Sequence, residues 1–281
     1  MYKKNLIKTV TALSLSLIAS TSFASERIVS AGSAVTELLI ALNQQEKLVA
    51  VDVTSELPAS MPLPKIGYHR RLSAEGLLAL GPNRLIGSDE MGPDTALNQL
   101  RSAGVKVDIV NTKPTPEGLL ERIDEIAALT QAQQQASKLK KKVTAQIASL
   151  EKNKAQQTSA KKVLFLLIHE GRPANVAGSN TTPNAIIELA GGINPAARQL
   201  SSYKPLSTEA MVEMQPDIIL VSGRSYHKLG GADELLKKMP MLAATPAGKN
   251  KQFIKIDGHA LVGGLGLKSL SEAERLSQLL K

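Results

Sequence analysis

Short apolar runs that alternate with helix-like or loop-rich segments most constrain the fold of this chain. The runs are rich in Val and Ile and are apolar at successive positions, which is typical of parallel strands covered on both faces. Alternation of such strands with helices predicts an α/β fold. The predicted strands are RIVSAG, KLVAVDV, RLIGSD, VKVDIV, KVLFLLI, DIILVS and FIKID.

Two segments repeat one pattern at an offset of 134 residues. The segment from Leu72 reads LSAEGLLALGPNRLI, and the segment from Leu206 reads LSTEAMVEMQPDIIL. A second echo pairs the AGS that begins at Ala31 with the AGS that begins at Ala177, each ahead of a helical pattern. Because the two echoes occur in the same order, the chain is predicted to contain two similar lobes.

The segment between the lobes, residues 117–158, is polar with regularly spaced apolar positions and has no Gly or Pro after Gly118. This pattern predicts at least one long helix, of roughly 15–25 residues, that runs from one lobe to the other. A Gly- and Ser-rich tether would have predicted independent lobes, whereas a helix predicts a stiff connection.

Several short signals predict where helices begin and end. Ser33 and Ser73 are expected to cap the helices that follow them, and Thr182-Pro183 to open another. The Gly191-Gly192 pair is expected to close that last helix.

The first 24 residues have the features of a secretory signal peptide. Lysines at positions 3, 4 and 8 precede an apolar run from Val10 to Ile18, and a small-residue site ends at Ala24. The run is shorter than the about 20 residues of a membrane span. The pattern predicts export of a mature chain that begins near residue 25. Because the chain has no cysteine, neither a disulfide nor a cysteine-linked lipid anchor is expected.

Charge and motifs exclude several classes of function. The formal net charge is +9, of which three charges lie in the predicted signal peptide. Such an excess suits an anionic ligand only weakly, because a run of lysines at 138–142 explains much of it as a solvated helix face. No nucleic-acid signature is present, and aromatic residues make up only 2%. No catalytic motif is present either, so the chain is predicted not to be an enzyme.

Two α/β lobes, a helical connection and an export signal together resemble the helical-backbone class of periplasmic substrate-binding proteins, the partners of ABC importers. The segments GYHRRLSAEGLLAL, LLIHEGRPANVAGSNT, AIIELAGG and TPAGKN resemble the periplasmic haemin-binding proteins of haem uptake systems. The resemblance covers essentially the whole mature chain. It implies two Rossmann-like lobes with mostly parallel sheets, joined by one long helix, with a ligand cleft between the lobes. The predicted boundaries are 1–24 for the signal peptide, 25–116 for the N-terminal lobe, 117–158 for the connector and 159–281 for the C-terminal lobe.

The resemblance implies that Tyr68 is the iron ligand. A phenolate oxygen is an anionic ligand suited to ferric haem. Because tyrosine ionises near a pH of about 10, coordination at neutral pH needs stabilising positive charge, and the resemblance gives this role to Arg70. His69 is not favoured as a second ligand, since neighbouring side chains of an extended loop diverge.

Further candidates come from the C-terminal half. His169 follows the strand KVLFLLI, at the carboxyl end where ligands of open α/β sheets bind. The resemblance implies an axial histidine in this segment for some family members, while others use tyrosine alone. Arg224 lies in a Ser-Gly-Arg string that resembles a family pocket position and is a candidate partner of a haem propionate or of the tyrosinate. Arg71 and Arg172 are weaker candidates for the same role.

Glu75 and Glu209 occupy matched positions of the two repeated segments. The resemblance implies that such a pair docks onto arginines of the importer's transmembrane subunits. An acid in the first turn of a helix also complements the helix dipole, so the symmetry of the pair is what favours docking. His227 and His259 are interpreted as surface residues.

The resemblance implies ferric haem b as the transported ligand. It also implies the permease subunits of a haem ABC importer as partners, with an outer-membrane haem receptor system upstream. The alternatives are a binding protein for another iron chelate or for cobalamin, and a periplasmic haem chaperone or enzyme. One departure from the resemblance is Leu267-Lys268, where Pro-Arg is expected.

Overall fold

The N-terminal lobe is built on a parallel sheet. The computed structural model describes residues 26–168 and 171–281, so the predicted signal peptide and His169 lie outside the described residues. The strands of this lobe are β1 (Ile28–Ala31), β2 (Leu48–Val51), β3 (Arg84–Ser88) and β4 (Lys106–Val110). Their order in the sheet is β2-β1-β3-β4, and all neighbours are parallel. Every residue of β1 is buried, as expected for a strand covered on both faces.

The C-terminal lobe is built on a mixed sheet. Its strands are β5 (Val163–Leu167), β6 (Asn175–Ala177), β7 (Tyr203–Pro205), β8 (Ile218–Ser222) and β9 (Phe253–Ile256). In the order β7-β6-β5-β8-β9, the pairs among β5, β8 and β9 are parallel, and β6 and β7 add an antiparallel edge. The prediction of mostly parallel sheets is confirmed. Strands β6 and β7 were not predicted, because three residues are too few to show a period.

Helices connect the strands throughout both lobes. Within the described ranges, no helix has both the length and the apolar character needed to cross a membrane. The α-helices are α1 (Ser33–Ala41), α2 (Ala74–Leu78), α3 (Asp94–Ser102), α4 (Pro116–Thr130), α5 (Gln133–Ala155), α6 (Thr182–Leu189), α7 (Thr208–Glu213), α8 (Gly223–Leu229), α9 (Ala232–Lys238), α10 (Pro246–Lys249) and α11 (Leu267–Leu279).

The predicted connector contains the long helix α5, which has 23 residues and follows the 15-residue helix α4. Gln131 separates the two helices in a left-handed conformation with φ of 60°, which ends α4 at Thr130. At 1.5 Å per residue α5 spans about 35 Å, a distance comparable to a small domain. The prediction of one long helix between two lobes is confirmed, and the exact lobe boundaries stay predictions.

The two repeated segments form matched helices. Ser73 caps α2 by accepting a hydrogen bond from the Gly76 N–H at 3.2 Å, and Ser207 caps α7 in the same way. The prediction that Ser33 caps α1 was wrong, because Ser33 is itself the first helical residue. Gly32 precedes it with φ of 119°, a conformation that favours glycine at the cap position.

One apolar core spans both lobes, and each lobe has a further apolar cluster of its own. The core that spans both lobes includes Leu38 of α1, Ile126 of α4, Val143 of α5, Phe165 of β5 and Leu270 of α11, all of them buried. Burying a large apolar side chain stabilises a fold by roughly 1.5–3 kcal/mol. Helix α11, at the end of the chain, packs against α5 and α6 and also against α1 of the other lobe. The connector is therefore part of the core and holds both lobes against it.

Arg122 of α4 links loops of the two lobes. Its side chain is fully buried and donates to the carbonyl of Asn111 at 2.6 Å and to that of Lys113 at 3.3 Å. It also donates to the carbonyls of Gly263 at 2.8 Å and Leu265 at 3.1 Å. Burial lowers the pKa of Arg122 to about 10, so the guanidinium stays charged at neutral pH. One cation thus satisfies carbonyls from both lobes.

Glu37 of α1 makes a second link, to the start of α11. Its carboxylate accepts the N–H groups of Leu267 at 2.6 Å and Lys268 at 3.1 Å. An anion suits the N-terminus of a helix, yet burial outweighs these bonds and raises the pKa of Glu37 to about 7. The departure at position 267 has a structural consequence here, since a proline would have no N–H to donate.

We expect Arg122→Met to lower the free energy of unfolding by roughly 3 kcal/mol or more, because several buried carbonyls lose a charged donor, each such bond being worth about 1.5–3 kcal/mol. Chemical denaturation measures the change. Arg101→Met, at an exposed position, is the matched control and should stay within about 0.5 kcal/mol of the wild type. Equal effects of the two changes would contradict a linking role for Arg122.

Glu37 predicts a pH dependence of stability. The unfolded chain loses the Glu37 proton near the ordinary pKa of 4.5, whereas the folded protein keeps it up to about 7. Rising pH therefore removes about 3 kcal/mol from the free energy of unfolding across this window. We expect denaturation midpoints measured between these two pH values to fall less steeply in Glu37→Gln than in the wild type. Glu117→Gln, at an exposed position, should keep the wild-type slope, and an unchanged slope in Glu37→Gln would refute the assignment.

Candidate functional site

A large cleft lies between the two lobes and has a volume of about 1630 Å³. Its lining comes largely from segments that follow the carboxyl ends of strands, where open α/β sheets bind their ligands. From the N-terminal lobe these include Glu90 after β3 and Thr112 after β4, and from the C-terminal lobe Ile168 after β5, Gly223 after β8 and Asp257 after β9. The predicted ligand cleft is therefore present.

Tyr68 lines this cleft from the loop that follows β2. It directly precedes the 3₁₀ turn His69–Arg71, and its carbonyl accepts the Arg71 N–H at 2.8 Å. Gly67, with φ of 86°, turns the chain just before it, and its carbonyl accepts the Val53 N–H at 2.9 Å. Tyr68 is 41% exposed although its backbone is held on both sides. A phenol in this position is accessible to a ligand in the cleft.

His69 is buried completely, in contrast to its neighbour. Its Nδ1 lies 2.7 Å from Asp52 Oδ2, and its Nε2 lies 3.7 Å from Glu90 Oε2, which is an ion-pair rather than a hydrogen-bond distance. Burial by itself would lower the pKa of His69, but the Asp52 hydrogen bond and the Glu90 carboxylate outweigh it and raise the pKa above its ordinary value. The imidazole faces two carboxylates, but its ring lies 4.5 Å from the Tyr68 ring, centroid to centroid, so the two side chains do not diverge as the sequence argument expected. That His69 is not an iron ligand stays a prediction.

Both carboxylates beside His69 are held in the ionised form. Burial disfavours the Asp52 carboxylate, but hydrogen bonds from His69, Ser55 and Thr54 lower its pKa below the ordinary range. The interaction with His69, and then the positive charge of Arg70, lowers the pKa of Glu90. Sequence reasoning missed Asp52 and Glu90, although both come soon after the carboxyl ends of strands, the same signal that selected His169.

Arg70 pairs with Glu90 through a close contact between its guanidinium and the Glu90 carboxylate. The Arg70 side chain is 52% exposed and lines the cleft. Arg70 is therefore close to Tyr68 in the sequence, and its positive charge is paired with the Glu90 carboxylate. The role of Arg70 in stabilising a phenolate stays a prediction.

Tyr203, at the start of β7, belongs to the opposite wall of the cleft. Its ring packs edge-on against Phe165 with the ring centroids 6.3 Å apart. Burial raises the pKa of Tyr203 well above its ordinary value, the Glu90 carboxylate raises it further, and Arg70 opposes this. Tyr203 is therefore a neutral phenol within electrostatic reach of the Arg70–Glu90 pair. Together with Leu167 it gives this wall an apolar character.

Cationic side chains line the C-terminal side of the cleft. Lys255 Nζ lies 3.4 Å from His227 Nε2, and Arg275 donates to the Lys255 carbonyl at 2.6 Å. Lys228 and Lys238 also belong to this lining. His227 was interpreted as a surface residue; it is exposed but lies at the cleft.

Two of the arginines predicted from sequence are not among these described cations of the cleft. Arg71 and Arg172 are exposed and are not among the described residues that line the cleft. The side chain of Arg224, like the whole of His169, lies outside the described part of the structure. Their roles stay predictions.

Glu56, Asp257 and His259 form a small cluster whose ligand-type atoms lie within 4.8 Å of one another. His259, interpreted from sequence as a surface residue, is half-buried, lines the cleft and bonds Asp257 at 2.8 Å. The Lys268 ammonium contacts Glu56 closely and lies 3.7 Å from Asp257. The Lys268 ammonium therefore supplies the positive charge that a metal ion would otherwise bring to these carboxylates.

Glu75 and Glu209 lie in the first turns of α2 and α7 and are both exposed. Neither is among the described residues that line the cleft. The backbone N–H of Glu209 itself, followed by the Ser207 hydroxyl, lowers the pKa of the Glu209 carboxyl. Both acids are thus free of the binding cleft and available at the surface.

Comparison with solved structures finds closely similar folds. The periplasmic haem-binding protein HutB of Vibrio cholerae is 64% identical, with a TM-score of 0.86 over 92% of this chain and 99% of that chain. RhuT, a periplasmic haem-binding protein from Roseiflexus sp. RS-1, is 37% identical, with a TM-score of 0.86 over 91% and 98%. A periplasmic haem-binding protein from Pseudomonas aeruginosa is 35% identical, with a TM-score of 0.84 over 91% and 92%.

Curated relatives found by sequence carry a different ligand in their names. The vitamin B12-binding protein of Vibrio parahaemolyticus is 22% identical over 218 residues, 77% of this chain and 78% of that protein. The vitamin B12-binding protein of Yersinia pestis is 27% identical over 213 residues, 75% of this chain and 74% of that protein.

A family model described as periplasmic binding protein matches residues 28–260. This range includes the strands of both sheets, the connector and most of the cleft. The chain belongs to the periplasmic binding protein family.

Proposed function

We propose that this protein binds ferric haem b in the cleft between its lobes, with Tyr68 as an iron ligand, and delivers it to an inner-membrane ABC importer. The observation that carries the proposal is the accessible phenol of Tyr68 at a cleft of tetrapyrrole size, in a chain 64% identical to a periplasmic haem-binding protein over 92% of its length. The cleft of about 1630 Å³ exceeds the roughly 300–1,000 Å³ of ordinary small-molecule pockets.

The chemistry of the cleft supports an anionic, planar, iron-containing ligand. Ferric haem needs an anionic or basic axial donor, which the Tyr68 phenolate supplies once the iron and a nearby cation stabilise it. Partly exposed apolar side chains such as Leu167 and Ile168 offer a surface for the macrocycle. The cleft cations Lys255 and Arg275 are suited to the propionates.

His169 is retained as a second axial ligand on the sequence grounds given above. Arg70 is proposed to stabilise the tyrosinate, and Arg224 to meet a propionate or the tyrosinate. Arg71 and Arg172 remain weaker candidates, since they are not among the described residues that line the cleft. These assignments rest on position in the chain and on the chemistry of guanidinium and imidazole groups.

The second candidate ligand is cobalamin, which the names of the curated relatives at 22% and 27% identity favour. An accessible tyrosine beside an arginine favours ferric haem, because ferric iron accepts a phenolate ligand. Titration with haemin and, separately, with cyanocobalamin distinguishes the two. A haem chaperone or enzyme would instead pass haem to an apoprotein or turn it over without an importer.

Delivery to an importer is proposed for the periplasm, with the permease subunits as partners and an outer-membrane haem receptor as the upstream source. Substrate-binding proteins of this family bind and release a ligand, and no step of the proposal requires catalysis. The exposed, matched acids Glu75 and Glu209 are proposed to meet arginines of the permease. Their Ser-capped helices fix them on the two lobes.

We expect Tyr68→Phe to abolish the tyrosinate-to-iron charge-transfer absorption and to weaken haemin binding by roughly 100-fold or more, because loss of a ligand exceeds the 10–100-fold typical of an outer-sphere partner. The ring and its contact with His69 are kept, so only the oxygen is removed. Absorption titration of the purified protein measures both quantities.

The matched control is Tyr226→Phe. It removes the phenol oxygen of a tyrosine that is not among the described residues lining the cleft. It should behave as the wild type. If Tyr68→Phe keeps both the absorption band and the affinity, Tyr68 is not the iron ligand. If the wild-type protein binds cyanocobalamin and not haemin, the proposed ligand is wrong.

We expect the double variant Glu75→Lys with Glu209→Lys to bind haemin with an affinity within about twofold of the wild type, since both positions are exposed. It should lose haem-dependent stimulation of the importer's ATPase, because reversed charges repel the permease arginines. The ATPase rate of the importer in proteoliposomes measures this effect.

Asp94→Lys with Glu117→Lys reverses two other exposed first-turn acids and is the matched control. It should stimulate the importer normally. Normal stimulation by the Glu75 and Glu209 double variant, or loss of its haemin binding, would refute the docking role.

A further inference from the structure

A buried chain of polar side chains leads from β1 to the loop that carries Tyr68. The Ser30 hydroxyl lies 2.7 Å from the Thr36 hydroxyl, which lies 2.7 Å from the Ser55 hydroxyl. Ser55 in turn donates to Asp52 Oδ1 at 2.7 Å, and Asp52 Oδ2 lies 2.7 Å from His69 Nδ1. These five residues, here called the buried polar chain, are all buried.

His69 is the last member of this chain and is fixed through its backbone as well as its ring. Its carbonyl accepts the Gly92 N–H at 3.0 Å, and the Gly92 carbonyl accepts the Leu72 N–H at 2.7 Å. Asp52 pairs Nδ1 of the buried imidazole, whereas Nε2 has no hydrogen-bond partner and lies 3.7 Å from Glu90. Loss of the Asp52 bond would leave both ring nitrogens buried and unpaired, which is costly, so this bond holds the ring in place. His69 lies in a loop beside the cleft, yet its backbone and ring are held by hydrogen bonds as those of a core residue are.

Tyr68 and Arg70 both depend on the position of His69. The rings of Tyr68 and His69 are in contact, with centroids 4.5 Å apart and planes at 57°. The imidazole Nε2 lies 3.7 Å from Glu90, and Glu90 pairs with the Arg70 guanidinium. The imidazole therefore adjoins both the phenol ring and the carboxylate that holds Arg70.

We propose that His69 is a positioning residue for haem binding: hydrogen-bonded to Asp52 and adjacent to Glu90, it orients the Tyr68 phenol and, through Glu90, the Arg70 guanidinium. This inference rests on the proposed function, in which Tyr68 binds iron. His69 itself touches no iron. Its effect is to reduce the freedom that Tyr68 and Arg70 would otherwise lose on binding.

The test compares His69→Leu with His69→Asn in the purified protein. Leu removes both ring nitrogens, whereas the Asn amide nitrogen overlies Nδ1 and can still donate to Asp52. We expect His69→Leu to weaken haemin binding by roughly 10- to 100-fold and to shift the tyrosinate charge-transfer band, as loss of a partner beyond the ligand itself does. His69→Asn should recover most of the affinity.

A third variant, Glu90→Gln, examines the Arg70 arm without disturbing the buried imidazole–Asp52 bond. Glu90 is about one-third exposed, so the variant is expected to fold. Loss of the Glu90 charge should shift the charge-transfer band by changing the cation beside the phenolate. Asp124→Asn, which removes an exposed carboxylate paired with Lys140 on the connector, is the matched control and should leave the band unchanged.

Each outcome decides the matter. Folded His69→Leu and Glu90→Gln proteins with wild-type affinity and band would overturn the inference while leaving Tyr68 as ligand. If His69→Leu does not fold, the band of Glu90→Gln decides, and an unchanged band overturns the inference. If the wild type does not bind haemin, or Tyr68→Phe keeps the charge-transfer band, the proposed function itself fails and the inference fails with it.

Discussion

The buried guanidinium of Arg122 is the interaction on which the geometry of this protein depends. It satisfies carbonyls of the loop after β4 and of the loop before α11, which come from the two lobes. A buried charge is stable only when it is well hydrogen-bonded, so moving these carbonyls away from the Arg122 guanidinium would be costly. With Glu37 holding the start of α11, the lobes are joined by polar bonds as well as by a common apolar core.

The N-terminal wall of the cleft combines an accessible residue with a rigid support. Tyr68 is partly exposed, while the adjacent His69 is completely buried and bonded to Asp52. A binding residue in a loop usually has conformational freedom that is lost on binding. Here the polar side chains behind the loop limit that freedom before any ligand arrives. The positive charge of Arg70, close to Tyr68 in the chain, is likewise held in place, because the guanidinium pairs with Glu90.

The similarity to proteins named for two different ligands has a physical basis. A large cleft between two lobes, with an apolar wall and a cationic side, suits a large macrocyclic ligand. The proposed function separates the two ligands by axial chemistry, because a phenolate is a ligand suited to ferric haem iron. The haem-binding structures at 64%, 37% and 35% identity agree with this inference more closely than the cobalamin-binding relatives at 22% and 27%.

The sequence by itself determined the alternating strands and helices, the two matched segments with their Ser caps and the long connector helix, because each of these depends on residues close together in the chain. Tyr68 was singled out by the family resemblance, and its role stays a proposal. Tertiary structure alone decided that His69 is buried between Asp52 and Glu90, that Tyr203 lines the same cleft as Arg70 and Glu90, and that Arg122 links two distant loops. Strands β6 and β7 were likewise outside the reach of local pattern, being short and stabilised by pairing with β5. Burial and long-range hydrogen bonding depend on which segments the fold brings together, and a local pattern of residue types carries no record of that partner.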